Sequence, residues 1–291
     1  MNITSEIPLK THLQQAAGPA PITVIEPSHG WVALQLNQLW QYRELLYFLV
    51  WRDVKVRYKQ TVLGLAWVVL QPLATTFIFT VIFGKLAKIP SDSLPYAVFA
   101  LAGLVPWNYF SAALSRAGIS LVGSAQLISK VYFPRLIIPI AAVLGGLVDL
   151  AVVLGLVFGL MLFYGIVPPL MSVTLPFFLL LAIAAALAIS LWLAALNVQY
   201  RDVGYLIPFL VQFWMYATPI VYPASLIPEP WRLLYSVNPM VGVVEGFRWA
   251  LFGTGQAIWQ CVVVSVVTVT MLLVSGLFFF RRMEKIFADV V

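Results

Sequence analysis

Six apolar runs, each long enough to cross the hydrocarbon core of a bilayer, constrain this chain more than any other feature. Crossing needs roughly 20 predominantly apolar residues in helical form, because lipid offers no partner for an exposed peptide group. The runs lie at about 61–84, 94–114, 136–164, 173–196, 203–222 and 257–280. Only 10% of the chain is charged and 62% is hydrophobic, with a mean hydropathy of +0.96. A soluble domain carries about 25% charged residues. The expected class is therefore an all-α integral membrane protein whose spans form one bundle. No period of 20–50 residues recurs, so it is not a repeat array.

Residues 1–36 are polar and hold four prolines, reading as a flexible cytoplasmic tail. The opening MNITSEIPLK lacks a basic region followed by an apolar one, so no cleaved signal is expected. Between 39 and 58 the pattern becomes amphipathic. Gln41, Glu44, Arg52 and Lys55 fall on one stripe and Tyr42, Leu45, Leu46, Leu49 and Val56 away from it, with Arg43 and Asp53 spoiling the separation. Such a helix, ending in Arg52, Lys55, Arg57 and Lys59, suits an anionic membrane surface.

Charge sets the expected orientation. With both termini inside, the cytoplasmic segments collect Arg43, Arg52, Lys55, Arg57, Lys59, Arg116, Lys130, Arg135, Arg201, Arg281, Arg282 and Lys285. The other side receives Lys85, Lys88, Arg232 and Arg248, which is the positive-inside distribution. That distribution accounts for the formal charge of +6 better than a nucleic-acid partner does.

Two stretches between spans stand out. Residues 116–135 (RAGISLVGSAQLISKVYFPR) carry Arg116, Lys130 and Arg135 without an acid, and read as a short surface helix ending at Phe133-Pro134. Residues 223–255 are too polar to cross and too apolar for an ordinary loop. Pro228, Pro230 and Pro239 divide them into two half-helices, 231–237 and 240–252, expected to dip back from the outer face. Glu245 and Arg248 are three residues apart there and can pair, either as a solvated ion pair or as one holding the outer mouth shut.

Chemistry-bearing constellations are missing from the sequence. No phosphate-binding loop is present, since Gly84-Lys85 is followed by Leu86. Acids are too scattered for a metal site, His12 and His29 lie in the tail, and Cys261 sits in an apolar run. Asp149 is the one carboxylate well inside a span: either a proton-carrying group or a hydrogen-bonded packing residue near Gly145-Gly146 and the close-approach pair Gly155/Gly159. With no visible engine, the chain is expected to be moved from outside, and 116–135 is where the push would land.

The segments WRDVKVRYKQTVLGLAWVVLQP (51–72), GLVPWNYF (103–110), KVYFPR (130–135), LNVQYRDV (196–203), ATPIVYP (217–223) and NPMVGVVEGFRWALFG (238–253) occur in this order. Together they resemble the membrane subunit of a type-2 ABC exporter, in the branch that includes O-antigen, capsule and teichoic-acid transporters. The resemblance covers about residues 38–287. It implies a homodimer of six-span subunits in the bacterial inner membrane, with two separate ATPase subunits that carry the ATP and Mg. The cargo would be a lipid-linked glycan, with O-antigen the first candidate; this chain itself would hold no cofactor. The coupling residues implied are Arg116, Gln126, Lys130 and Arg135, with Arg201 and Asp202 of the neighbouring inner loop. Asn238, Glu245 and Arg248 would belong to the periplasmic gate.

A glycan has polar edges and apolar faces, so its conduit needs aromatic platforms and hydrogen-bonding groups. Span one carries Thr61, Gly64, Trp67, Gln71 and Thr75 on one helical face; span five carries Tyr205, Phe209, Gln212 and Tyr216 at the same spacing. These stripes are the expected channel lining, against the alternative of helix contacts or a headgroup belt. Trp107, Tyr109 and Phe110 fit belt or lining equally. Rival readings are a small-molecule exporter of the same superfamily, a proton-driven carrier using Asp149, and a structural scaffold.

Overall fold

The computed structural model describes residues 36–59, 64–253, 258–285 and 287. The tail 1–35, Thr61 and the start of the sixth run at 257 lie outside the described residues. The described chain is helical, without a strand. In order it forms α1 (Leu36–Gln41), α2 (Arg43–Lys59), α3 (Gly64–Phe79), α4 (Tyr96–Gly123), α5 (Ala125–Lys130) and α6 (Ile137–Leu144). There follow α7 (Leu147–Phe163), α8 (Leu175–Gln199), α9 (Val203–Tyr216), α10 (Glu229–Tyr235), α11 (Pro239–Phe252) and α12 (Ile258–Glu284). A wide π-helical turn (Thr80–Leu86) continues α3.

Five helical runs among the described residues are long and apolar enough to cross a membrane: Ala66–Leu86, Tyr96–Gly123, Ile137–Phe163, Leu170–Gln199 and Trp259–Glu284. The fifth predicted span ends early. It yields the 14-residue α9, because Pro219 has no N–H to continue the ladder and biases Thr218 away from helical angles. The second is longer than expected: α4 runs unbroken to Gly123, so Arg116 lies inside a helix and the non-spanning stretch begins at Ser124. The third is divided at Gly145-Gly146.

The centre is α4 against α8, with α11 and α12 closing around α8. Without a hydrophobic drive between helices in lipid, close approach of backbones does the work, and small residues permit it. On α8, Ala182, Ala185, Ala186, Ala188, Ala194 and Ala195 are all buried. At Gly246 of α11 a Cβ would stand 2.1 Å from the Phe178 ring of α8, so no larger residue fits there unchanged. By contrast a Cβ at Gly155 or Gly159 would meet nothing within 4 Å; this pair makes no close approach within the chain.

Trp107, Tyr109 and Phe110 are 3%, 4% and 0% exposed, which makes them core rather than belt or lining. A second apolar cluster at the Gly123 end joins Leu49 of α2, Ile128 of α5, Phe133, and Phe280 of α12. It pins the surface elements to the bundle. Between α2 and the bundle, Val56 turns out exposed, whereas Asp53 and Arg57 face inward.

Candidate functional site

The residues singled out by sequence fall into three regions. At the Tyr96 end, α11 is buried along nearly its whole length. Its start is tied by Asn238, whose Oδ1 accepts from Met240 N (3.0 Å) and Trp214 Nε1 (2.8 Å). The Nδ2 of the same side chain donates to Ala217 O (2.9 Å) and Thr218 Oγ1 (3.1 Å). One amide thus joins the end of α9 to the beginning of α11.

Two to three turns further along α11, Glu245 is 9% exposed and Arg248 2%. The reading of a solvated pair is therefore overturned. Arg248 donates to Glu245 Oε1 (2.9 Å), to Pro219 O (2.6 Å) and to Ile220 O (2.6 Å). Its guanidinium lies 3.6 Å over the Phe99 ring, and Gly103 leaves the space for it, since a Cβ there would be 2.8 Å from Nη2. The planar fork satisfies carbonyls that the turn after α9 would otherwise leave unpaired.

The proposed channel residues lie on two uncovered faces. Trp67 is 61% exposed, Tyr205 86%, Phe209 59% and Tyr216 62%; Gln71 and Gln212 are also exposed and Thr75 is half-buried. The Thr75 hydroxyl donates to Gln71 O within its own helix (3.0 Å). Both α3 and α9 pack on α4 rather than substantially on each other. The two stripes therefore flank one central helix.

The proposed coupling residues do not form one patch. Gln126 and Lys130 on α5 and Arg201 and Asp202 before α9 are exposed near the Gly123 end. Arg135 is tied to the end of α12: its N–H donates to Glu284 Oε1 (3.0 Å) and its guanidinium to the Glu284 carbonyl. Arg116 points into the bundle instead, with Nη1 3.6 Å from Asp149 Oδ2.

That contact belongs to a cluster the sequence reading missed. Asp149 is not without partners; it accepts from Arg57 and from the Tyr58 hydroxyl of α2 while facing Arg116 of α4. Arg57 also reaches Gly145 O at 3.5 Å. Surface helix, long span and third span thus share one carboxylate. The signal available was Arg57, four residues before the first predicted span, and Arg116, which a longer helix would have carried inward.

Burial first, then the bond to Asp149, pushes the Tyr58 phenol up from its ordinary 10.0 to about 12. A group whose folded value is raised contributes stability that is fully present below its unfolded value and fades as pH climbs through the folded one. Tyr58 should therefore support the fold unchanged up to pH 10 and lose its contribution between pH 10 and about 12. Unfolding midpoints of wild type and Tyr58→Phe in detergent from pH 8 to 12 check this. The difference between the two curves should shrink only above pH 10; a constant difference across the range would contradict it.

Fold and site together define a polytopic α-helical membrane protein with a surface helix clamped to its spans and one buried short helix, α11, at the opposite end. The profile of the ABC-2 type transporter family matches residues 44–252, and the chain belongs to that family. It is 31% identical over 215 residues to the O-antigen export system permease protein RfbA of Myxococcus xanthus, covering 73% of this chain and 82% of that protein. RfbA of Klebsiella pneumoniae is 28% identical over 249 residues, 85% of this chain and 95% of the relative. The polysialic acid transport protein KpsM of Escherichia coli is 24% identical over 207 residues, 69% and 78% of the two chains.

Proposed function

We propose that this chain is the membrane subunit of an ATP-driven exporter that moves a lipid-linked polysaccharide, O-antigen first, out of the cytoplasm. Two copies would form the channel and two separate nucleotide-binding subunits would drive it, so ATP and Mg would sit on those partners. In this reading α9 and the turn after it make a sixth crossing, α10 and α11 dip back from the periplasmic face, and both termini are cytoplasmic in the inner membrane.

The observation that carries the proposal is the pair of uncovered polar-aromatic stripes on α3 and α9, in a chain whose relatives are named polysaccharide permeases. A face of Trp67, Gln71, Tyr205, Phe209, Gln212 and Tyr216 is costly against lipid tails where amides lack partners, but suits a second copy and a sugar chain. Export rather than passive pairing is favoured by the arrangement along the bundle axis. Gln126, Lys130, Arg201 and Asp202 offer a docking face at one end, and Asn238, Glu245 and Arg248 close the other. Identity is higher to the O-antigen permeases (31% and 28%) than to the polysialic acid protein (24%), which ranks O-antigen before capsule.

Trp67→Ala and Tyr216→Ala should each lower glycan export about tenfold, equivalent to ~1.4 kcal/mol, while leaving binding of the ATPase subunit intact. Export would be read in inverted vesicles holding the permease, its ATPase and labelled lipid-linked glycan. Wild-type rates in both variants, or transport that continues without any ATPase, would refute the channel assignment.

A further inference from the structure

A cleft of about 180 Å³ opens between α3, α4 and α7, and Arg116 and Asp149 form part of its wall. Arg116 also lines a wider groove beneath α2, shared with Arg57. Two guanidiniums converge here on one carboxylate. Arg116 offers Asp149 a single nitrogen at 3.6 Å; its Nε and Nη2 are buried and have no hydrogen-bond partner among the described residues. Buried donors without acceptors each cost about 1–3 kcal/mol, so a native site holding two of them calls for a ligand. Gly146 makes room for the guanidinium itself, since a Cβ there would lie 2.5 Å from Arg116 Nη2. Gln71 and Asn108 add amides to the lining, and Val105 and Val153 make its apolar part.

Depth narrows the ligand. Arg116 follows Tyr96 by twenty residues of unbroken helix, about 30 Å of rise and one hydrocarbon thickness. With Tyr96 at one membrane surface, Arg116 stands at headgroup level on the other, beside the basic end of α2. Anions at that level are phosphates, and a guanidinium fork matches two phosphate oxygens at once. α3, the outer wall, is scarcely covered by its own chain, so a lipid reaches the cleft from the side.

We propose that the cleft between α3, α4 and α7 is a binding site for the phosphate group of a lipid, held by Arg116 with Arg57 and the amides of Gln71 and Asn108. On the export reading above, which this part rests on, the occupant is the phosphate that joins lipid to sugar. The other source of the same chemistry is a phospholipid of the bilayer.

The test uses the full-length permease in an uncharged detergent and a fluorescent short-chain phosphatidic acid as probe. Competitors are farnesyl diphosphate, dioctanoylglycerol and inorganic phosphate. Farnesyl diphosphate should displace the probe, dioctanoylglycerol should not, and inorganic phosphate should compete at least tenfold more weakly than either lipid phosphate. Arg116→Gln should weaken the probe at least tenfold. Gln71→Leu, on an exposed face that the fold does not need, should weaken it about threefold, which keeps the test valid should the first variant unfold. Unchanged affinity in both variants, or equal displacement by dioctanoylglycerol, overturns the site. Inorganic phosphate as strong as the lipids overturns its assignment to a lipid. Tenfold preference for farnesyl diphosphate over phosphatidic acid supports the glycan carrier; the reverse preference assigns the site to bilayer phospholipid and overturns the carrier. Phosphate binding with no glycan export in wild type would defeat the export reading alone. Export without phosphate binding would defeat the site alone.

Discussion

Replacing Arg248 by methionine should destabilise the folded chain by about 3–5 kcal/mol, the largest effect expected of any single substitution here. The methionine fills much of the same space but donates nothing. Glu245, 9% exposed, would keep a charge with no guanidinium beside it, and the carbonyls of Pro219 and Ile220 would lose their donors. Removing both charges should be milder, because a buried ion pair is weak evidence of net stabilisation while half of one is strongly unfavourable. Arg248→Met with Glu245→Leu is therefore expected to recover at least 1 kcal/mol of the loss. Thermal unfolding in detergent, followed by tryptophan fluorescence, reads both. A single variant that melts within a degree of wild type would mean that the pair holds nothing together.

Asn238 carries the second large effect, about 3 kcal/mol for Asn238→Ala. It removes a helix cap worth ~1 kcal/mol and leaves the Trp214 indole N–H and the Ala217 carbonyl unpaired. Asn238→Asp separates the two functions of the amide. It preserves the acceptor for Met240 N and Trp214 Nε1 but sets a carboxylate oxygen where an N–H now meets Ala217 O at 2.9 Å. The aspartate should therefore be no more stable than the alanine, although aspartate is as good a cap as asparagine. Were it to equal wild type, the donors of Asn238 would be irrelevant and the link between α9 and α11 would rest on the cap alone.

Much of this was legible in sequence because the information is local. Apolar runs mark the spans, Pro228, Pro230 and Pro239 mark the two short helices, and the spacing of Glu245 and Arg248 announces their pairing. What sequence could not show was depth and distant partnership. The burial of Glu245 and Arg248 depends on α4 supplying Phe99 and a residue without a Cβ at Gly103. Arg116 reads as a loop residue because a charge ordinarily ends a span. It lies within a helix because Asp149, 33 positions later, shares its neutralisation with Arg57, 59 positions earlier. Trp107 reads as belt or lining by residue type alone and is core because α4 is enclosed on most sides. Chain length misled at α9, where Ile220, Val221 and Tyr222 continue the apolar run after the backbone has already turned.

That short helix bears on the lipid around it. Fourteen residues rise about 21 Å, roughly two thirds of a ~30 Å hydrocarbon layer. If α9 crosses as proposed, the mismatch would be relieved by thinning of the adjoining leaflet or by polar backbone standing in for the missing turns. On the export proposal, a hydrophilic polymer passing beside Tyr205 and Tyr216 would then meet an oily barrier much narrower than the one a few helices away. The dielectric toll on its hydroxyls would fall in proportion, before any rearrangement of the helices.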